Sequence, residues 1–141
     1  MPSSPPFAEQ TVTFLYTDDL ERHAAFYRDL LGLEQVLDQG DCRIFRAGPA
    51  SFVGVCDKPN RPRGAQGVML TFLCEDADAV HAALSARGVA FDGPPADLDE
   101  GRIRAAFFRD PEGYVLEVQE FRDPRWPYPE GRTPRAPSAA D

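Results

Sequence analysis

Glu117 is the first residue of this chain to test for chemistry. It alternates with Val115 and Gln119 in a run of strand-forming residues, so a strand puts all three on one face. A carboxylate on such a face can serve as a general base or anchor a cationic or hydroxyl-bearing ligand. The plainer alternative is a side chain in solvent, or one paired with Arg102 or Arg104 on the neighbouring strand. His23 and His81 fall in the middle of helical stretches and read as helix-edge residues on the outer side of a sheet. Cys42, Cys56 and Cys74 are odd in number, lack C-x-x-C spacing and sit in apolar runs, where thiols behave as small core residues. Asp97, Asp99 and Glu100 lack EF-hand spacing and read as a solvated loop. The G-x-S-x-G, Walker A, H-E-x-x-H and G-x-G-x-x-G patterns are absent from the sequence.

The elements that must position these residues occur twice. TVTFLYT at 11–17 is β-branched and aromatic, hence a strand. An acid at Asp18 or Asp19 then caps a helix with Leu20, Ala24, Tyr27 and Leu31 at helical spacing, stopped by Gly32. Strands follow near 33–38, 42–47 and 51–56, broken by Gly40 and the Gly48–Pro49 turn. The order restarts with a strand at 68–74, a helix from Ala77 to Arg87, and strands at 89–92, 102–109 and 114–121. At an offset of 58, Thr13, Phe14, Leu15, Asp18, His23, Ala24 and Ala25 match Thr71, Phe72, Leu73, Asp76, His81, Ala82 and Ala83. The repeat predicts an α+β domain over 9–121, made of two tandem βαβββ modules at 9–57 and 68–121 joined by a Pro/Gly linker at 58–67. Residues 1–8 and the Pro-rich 122–141 read as loose ends, apart from Trp126, whose apolar area favours packing back on the body.

Strand alternation lists the side chains of a cavity that two such modules would enclose. Val12, Phe14 and Tyr16 share one strand face, as do Met69, Thr71 and Leu73. Ile103, Ala105 and Phe107 continue the wall, with Gln119 beside Glu117. The set is apolar and aromatic with few polar handles, and its alternative is plain filled core. A net charge of −8 argues against a phosphate-neutralising face, so no nucleic acid is expected. The three core-like thiols point to a reduced, cytoplasmic chain. The N-terminus lacks a basic, apolar leader and no stretch is long enough to span a bilayer, so neither a secretory signal nor membrane contact is expected.

DDLERHAAFYRDLLGL resembles the first strand-to-helix signature of the glyoxalase/bleomycin-resistance/dioxygenase (vicinal oxygen chelate) superfamily, D-L-x-x-x-x-x-F-Y-x-x-x-L-G. FFRDPEGYVLEVQEF resembles its closing D-P-[DE]-G-x-x-x-E hairpin. The resemblance implies the two-module glyoxalase/bleomycin resistance-like fold around a small-molecule cavity. It also implies divalent-metal ligands, usually His, Gln or Glu, on the first and last strands of each module. Those positions fall here on Val12, Met69 and Glu117, and only Glu117 matches. A slip of one residue gives Thr11 and Val68, and Gln10 lies about 7 Å further along the strand than Val12. No metal and no cofactor are therefore expected. Related fosfomycin-modifying enzymes carry hydroxyls where Ala105 and Phe107 stand, which argues against a phosphonate substrate.

Three functions follow. The first is a metal-independent protein that sequesters a small apolar or cationic molecule, with Trp126 closing over the cavity mouth. The second is a metal-dependent lyase, isomerase or dioxygenase using Glu117 with atypical ligands such as Gln10. The third is a metal-free enzyme with Glu117 or Tyr16 moving a proton. The resemblance and the exposed sheet edges also imply a homodimer.

Overall fold

Strand β1 (Thr11–Tyr16) leads into helix α1 (Leu20–Ala25), and the junction is built from side chains. Thr17 Oγ1 accepts from the Asp19 amide at 2.9 Å, and the Asp19 carboxylate accepts from the Arg22 amide at 3.2 Å. These bonds satisfy amides that a helix start leaves without partners. The expected single helix instead widens into a π-helical turn over Phe26–Leu30, with the Leu31 amide bonded to the Phe26 carbonyl. This turn keeps Phe26 and Tyr27 both buried. Strands β2 (Glu34–Asp38), β3 (Cys42–Arg46) and β4 (Ser51–Cys56) complete a sheet of order β1-β4-β3-β2, with β1 parallel to β4. The computed structural model describes residue 6 and residues 9–61 and 63–128, and the predicted loose ends lie mostly outside them.

The second unit, Ala65–Asp141, repeats the first, Met1–Gly64, in element order. Strand β5 (Met69–Leu73) precedes helix α2 (Ala77–Ala86), and β6 (Ala96–Leu98), β7 (Ile103–Arg109) and β8 (Val115–Phe121) give the sheet β5-β8-β7-β6. Gly88, at φ +104°, closes α2 as the Val89 amide reaches back to the Leu84 carbonyl. The sixth strand lies at 96–98, not at 89–92 as predicted. Phe91 is drawn instead between the rings of His81 and Phe108, at 4.3 and 4.9 Å, and makes only a single bridge to Phe108. Pro94 and Pro95 then delay ladder pairing until Ala96.

In each unit one sheet face is covered by the helix and forms the core. In the first, Leu15, Phe45, Val53 and Val55 are buried on that face, and Tyr27 stacks on Phe45. His23 is fully buried beside Tyr27, not at a helix edge, while His81 is half-buried against Phe91. In the second, Ala106, Phe108, Leu116 and Val118 are buried on the helix side.

That side also holds a chain of charges. Arg122 donates to Glu120 Oε2 and Asp97 Oδ1, each at 3.0 Å, and Arg104 donates to Asp97 at 3.0 Å and to both oxygens of Asp78. Glu120 Oε1 accepts the Ala77 amide at 3.0 Å, which pins the start of α2 to β8. The Asp78 and Asp97 carboxylates push the Arg104 guanidinium pKa above its ordinary value. Asp97 is therefore part of an ion network on β6, contrary to its reading as a solvated loop residue.

Two further departures concern backbone and cysteines. Asp99, Glu100 and Gly101 are consecutive left-handed residues, at φ +52°, +57° and +80°. Only glycine takes that conformation without steric cost. Glu100→Gly is thus expected to raise stability by about 0.5–1 kcal/mol in a urea titration, since the exposed Glu100 side chain loses little. The predicted reduced thiols are also corrected: Cys42 and Cys56 form a disulfide, whereas Cys74 lies outside it. Register explains the pairing, because the two residues face each other across β3 and β4 at a Cα separation of 4.1 Å. The cysteines therefore no longer argue for a reducing compartment. Among the described residues no helix is long and apolar enough to cross a membrane.

Candidate functional site

The predicted lining residues fall on the sheet faces that carry no helix. In the second unit, register aligns Met69 with Val115, Thr71 with Glu117 and Leu73 with Gln119. Across β7 and β8, Phe107 faces Glu117, Ala105 faces Gln119 and Ile103 faces Phe121. Residues paired across a sheet share a face, so Met69, Thr71, Ile103, Ala105, Phe107, Glu117 and Gln119 line one surface. Ala105 is its buried floor, whereas Met69 and Leu73 are each 51% exposed.

Glu117 sits in this surface at 2% exposure. The Thr71 hydroxyl donates to Oε1 at 2.7 Å, and the Gln119 amide nitrogen donates to Oε2 at 2.9 Å. Neither Arg102 nor Arg104 reaches it: Arg102 bonds Asp99, and Arg104 lies on the helix side. Both carboxylate oxygens are held by neutral donors, which satisfies a buried acceptor without a counter-cation. With the Thr71 hydroxyl proton and one Gln119 N–H turned inward, the polar groups left for a ligand are mainly acceptors, the Gln119 carbonyl oxygen and the remaining carboxylate lone pairs, beside the second Gln119 N–H. The arrangement can accept hydrogen bonds from a ligand ammonium, N–H or O–H group, or take up a proton.

In the first unit, Val12, Phe14 and Tyr16 pair with Phe52, Gly54 and Cys56. Their face is opposite the one carrying Leu15 and Val53. Val12 and Phe14 are 40% and 42% exposed, Tyr16 is half-buried, and the Arg46 guanidinium lies 5.1 Å above the Phe52 ring. The disulfide belongs to the same face, at the Tyr16 end. Alternation along β1 did not single out Phe52 and Gly54 on β4, which pair with Val12 and Phe14, or Arg46 on β3, which pairs with Phe52.

Trp126 packs back as expected, stacked on Phe121 with centroids 4.2 Å apart and planes 10° from parallel. A short turn holds it: the Trp126 amide bonds the Asp123 carbonyl, which also accepts the Tyr128 hydroxyl at 2.9 Å. Arg125 grips the Asp123 carboxylate and holds its pKa well below the usual carboxylate range, and burial raises that of the Tyr128 phenol. Phe121 shares the face of Ile103, so Trp126 extends the surface that contains Glu117.

The residues present do not fit a divalent cation. Val12 and Met69 offer no hard donor, Gln10 is exposed ahead of β1, and Glu117 is already held by Thr71 and Gln119. Among the described residues no three His, Cys, Asp or Glu side chains gather into a metal-holding group.

Residues 9–118 match the model of the Glyoxalase/Bleomycin resistance protein/Dioxygenase superfamily. The chain is 33% identical over 106 residues to a manganese-dependent 2,3-dihydroxybiphenyl 1,2-dioxygenase of Geobacillus genomosp. 3, covering 74% of this chain and 34% of that enzyme. A crystal structure of a glyoxalase/bleomycin resistance protein/dioxygenase from Nocardioides aligns at TM-score 0.70 and 26% identity, over 92% of this chain and 93% of that one. Lactoylglutathione lyase from Agrobacterium tumefaciens aligns at TM-score 0.65 and 28% identity, over 82% and 95% of the two chains. With the family model matched over residues 9–118 and the motifs and element order agreeing, this chain belongs to the Glyoxalase/Bleomycin resistance protein/Dioxygenase superfamily.

Proposed function

We propose that the protein is a metal-independent binder of a small, largely apolar or cationic molecule. One observation carries this reading: Glu117, the single carboxylate at the superfamily's ligand positions, is committed to Thr71 and Gln119. Around it the helix-free face is apolar and aromatic, with Trp126 stacked at its end. A ligand with an apolar body and a donor-bearing or cationic group would match both features. We further propose a homodimer, because β1 and β5 are sheet edges bearing exposed Val12, Phe14, Met69 and Leu73.

The test is elemental analysis and native mass spectrometry of untagged protein purified without chelator. A metal-free chain retaining a small organic molecule is the expected result; near-stoichiometric metal would sink the reading. That second outcome would favour a metal-dependent lyase or oxygenase, an alternative supported by the manganese-dependent relative. Glu117→Gln is expected to weaken binding of a cationic ligand about tenfold, read by Trp126 fluorescence, because one charge-assisted bond is lost. Retained binding with lost, pH-dependent turnover would point instead to proton transfer by Glu117.

A further inference from the structure

Gly54 stands in the middle of β4, flanked by β1 and β3, where a glycine weakens a strand. Its backbone gives no reason for glycine, because it is absent from the left-handed positions occupied by seven other glycines. The reason lies above it. A Cβ at Gly54 would come within 2.5 Å of Phe14 Cδ1 and 2.6 Å of Cε1, so the Phe14 ring occupies the space a side chain would need. Phe14 is the β1 residue paired with Gly54 and is 42% exposed. The ring therefore lies low across the neighbouring strand, with part of its surface open.

We propose that Gly54 is a positioning residue for ligand binding: by lacking a side chain it keeps Phe14 low on the helix-free face as a platform for a planar group. The proposal rests on the binding function above and adds the planar ligand surface and the residue that sets it. Other strand residues on this face, Phe52 beneath Arg46 and Ile44 beside Gly54, flank the platform. An alanine at 54 would displace the half-exposed ring rather than the backbone, lifting Phe14 away from the sheet. Folding should survive, because alanine suits a strand better than glycine and an exposed ring can turn aside.

Two measurements test this. The first needs no ligand: in the wild type an α-proton of Gly54, aimed at the Phe14 ring, should resonate upfield, and the shift should vanish in Phe14→Leu. A normal Gly54 shift in the wild type would overturn the ring placement. The second uses thioflavin T, a planar aromatic cation. Gly54→Ala should weaken its binding about fivefold while the thermal midpoint moves by less than about 3 °C. In the Phe14→Leu background the same substitution should leave affinity unchanged within about twofold, since coupled residues depart from additivity. Equal losses in both backgrounds, or no loss in either, would overturn the positioning role. If the wild type binds no dye while native mass spectrometry finds a retained small molecule, the planar platform is what fails and the binding function stands; if neither is found, the binding function fails with it.

Discussion

Arg122→Ala is expected to lower stability by about 3–5 kcal/mol, the cost of breaking a buried ion pair by removing one partner. The Arg122 side chain is 2% exposed and that of Glu120 1%, so the carboxylate left behind gains no water in exchange for the lost guanidinium. Asp97 loses a donor in the same step, although Arg104 still holds it. A urea titration followed by circular dichroism measures the loss, and a change below about 1 kcal/mol would mean that water reaches Glu120. Replacing both partners, Glu120→Gln with Arg122→Met, should cost less than Arg122→Ala alone, because no charge is stranded. The consequence reaches the site. Glu120 and Arg122 point to the helix side of the chain that places Glu117 and Gln119 on the other face, so the network fixes the register that carries them.

Removing the disulfide gives the second large effect. Cys42→Ala with Cys56→Ala should cost about 2–3 kcal/mol, from the freedom restored to the unfolded chain between two cysteines 14 residues apart. The wild type treated with a phosphine reductant should fall to nearly the same midpoint, and the double variant should not respond to reductant. Two alkylatable thiols at positions 42 and 56 in untreated folded protein, with no reductant effect, would show that the bond does not form. Since the β3–β4 ladder already aligns the two residues, the folded sheet should persist after reduction.

Much of the site was legible because strand alternation is local. Val12, Phe14 and Tyr16, and likewise Met69, Thr71, Glu117 and Gln119, followed from a period of two once the strands were assigned. The disulfide could also have been found. Cys42 lies seven residues before Pro49 and Cys56 seven after it, so a hairpin centred on the Gly48–Pro49 turn sets them opposite each other. Counting cysteines for parity and C-x-x-C spacing missed that symmetry. The sixth strand was missed for another reason: Val89 and Phe91 have strand-like residue types, but Phe91 finds a better partner surface in His81 and Phe108 than in a ladder.

The sequence by itself determined the doubled strand-helix-strand order and the face on which each candidate side chain lies; set against the superfamily pattern it resembles, it also showed the mismatch at Val12 and Met69. Those properties depend on residue type and on neighbours a few positions away. Only the tertiary structure decided what Glu117 bonds to, why position 54 is glycine, and that Asp97, Arg104, Glu120 and Arg122 form one network. Each of these joins residues from different strands through side-chain contacts a few ångströms long. Such contacts are fixed when register and packing bring the strands together, and no local pattern encodes them.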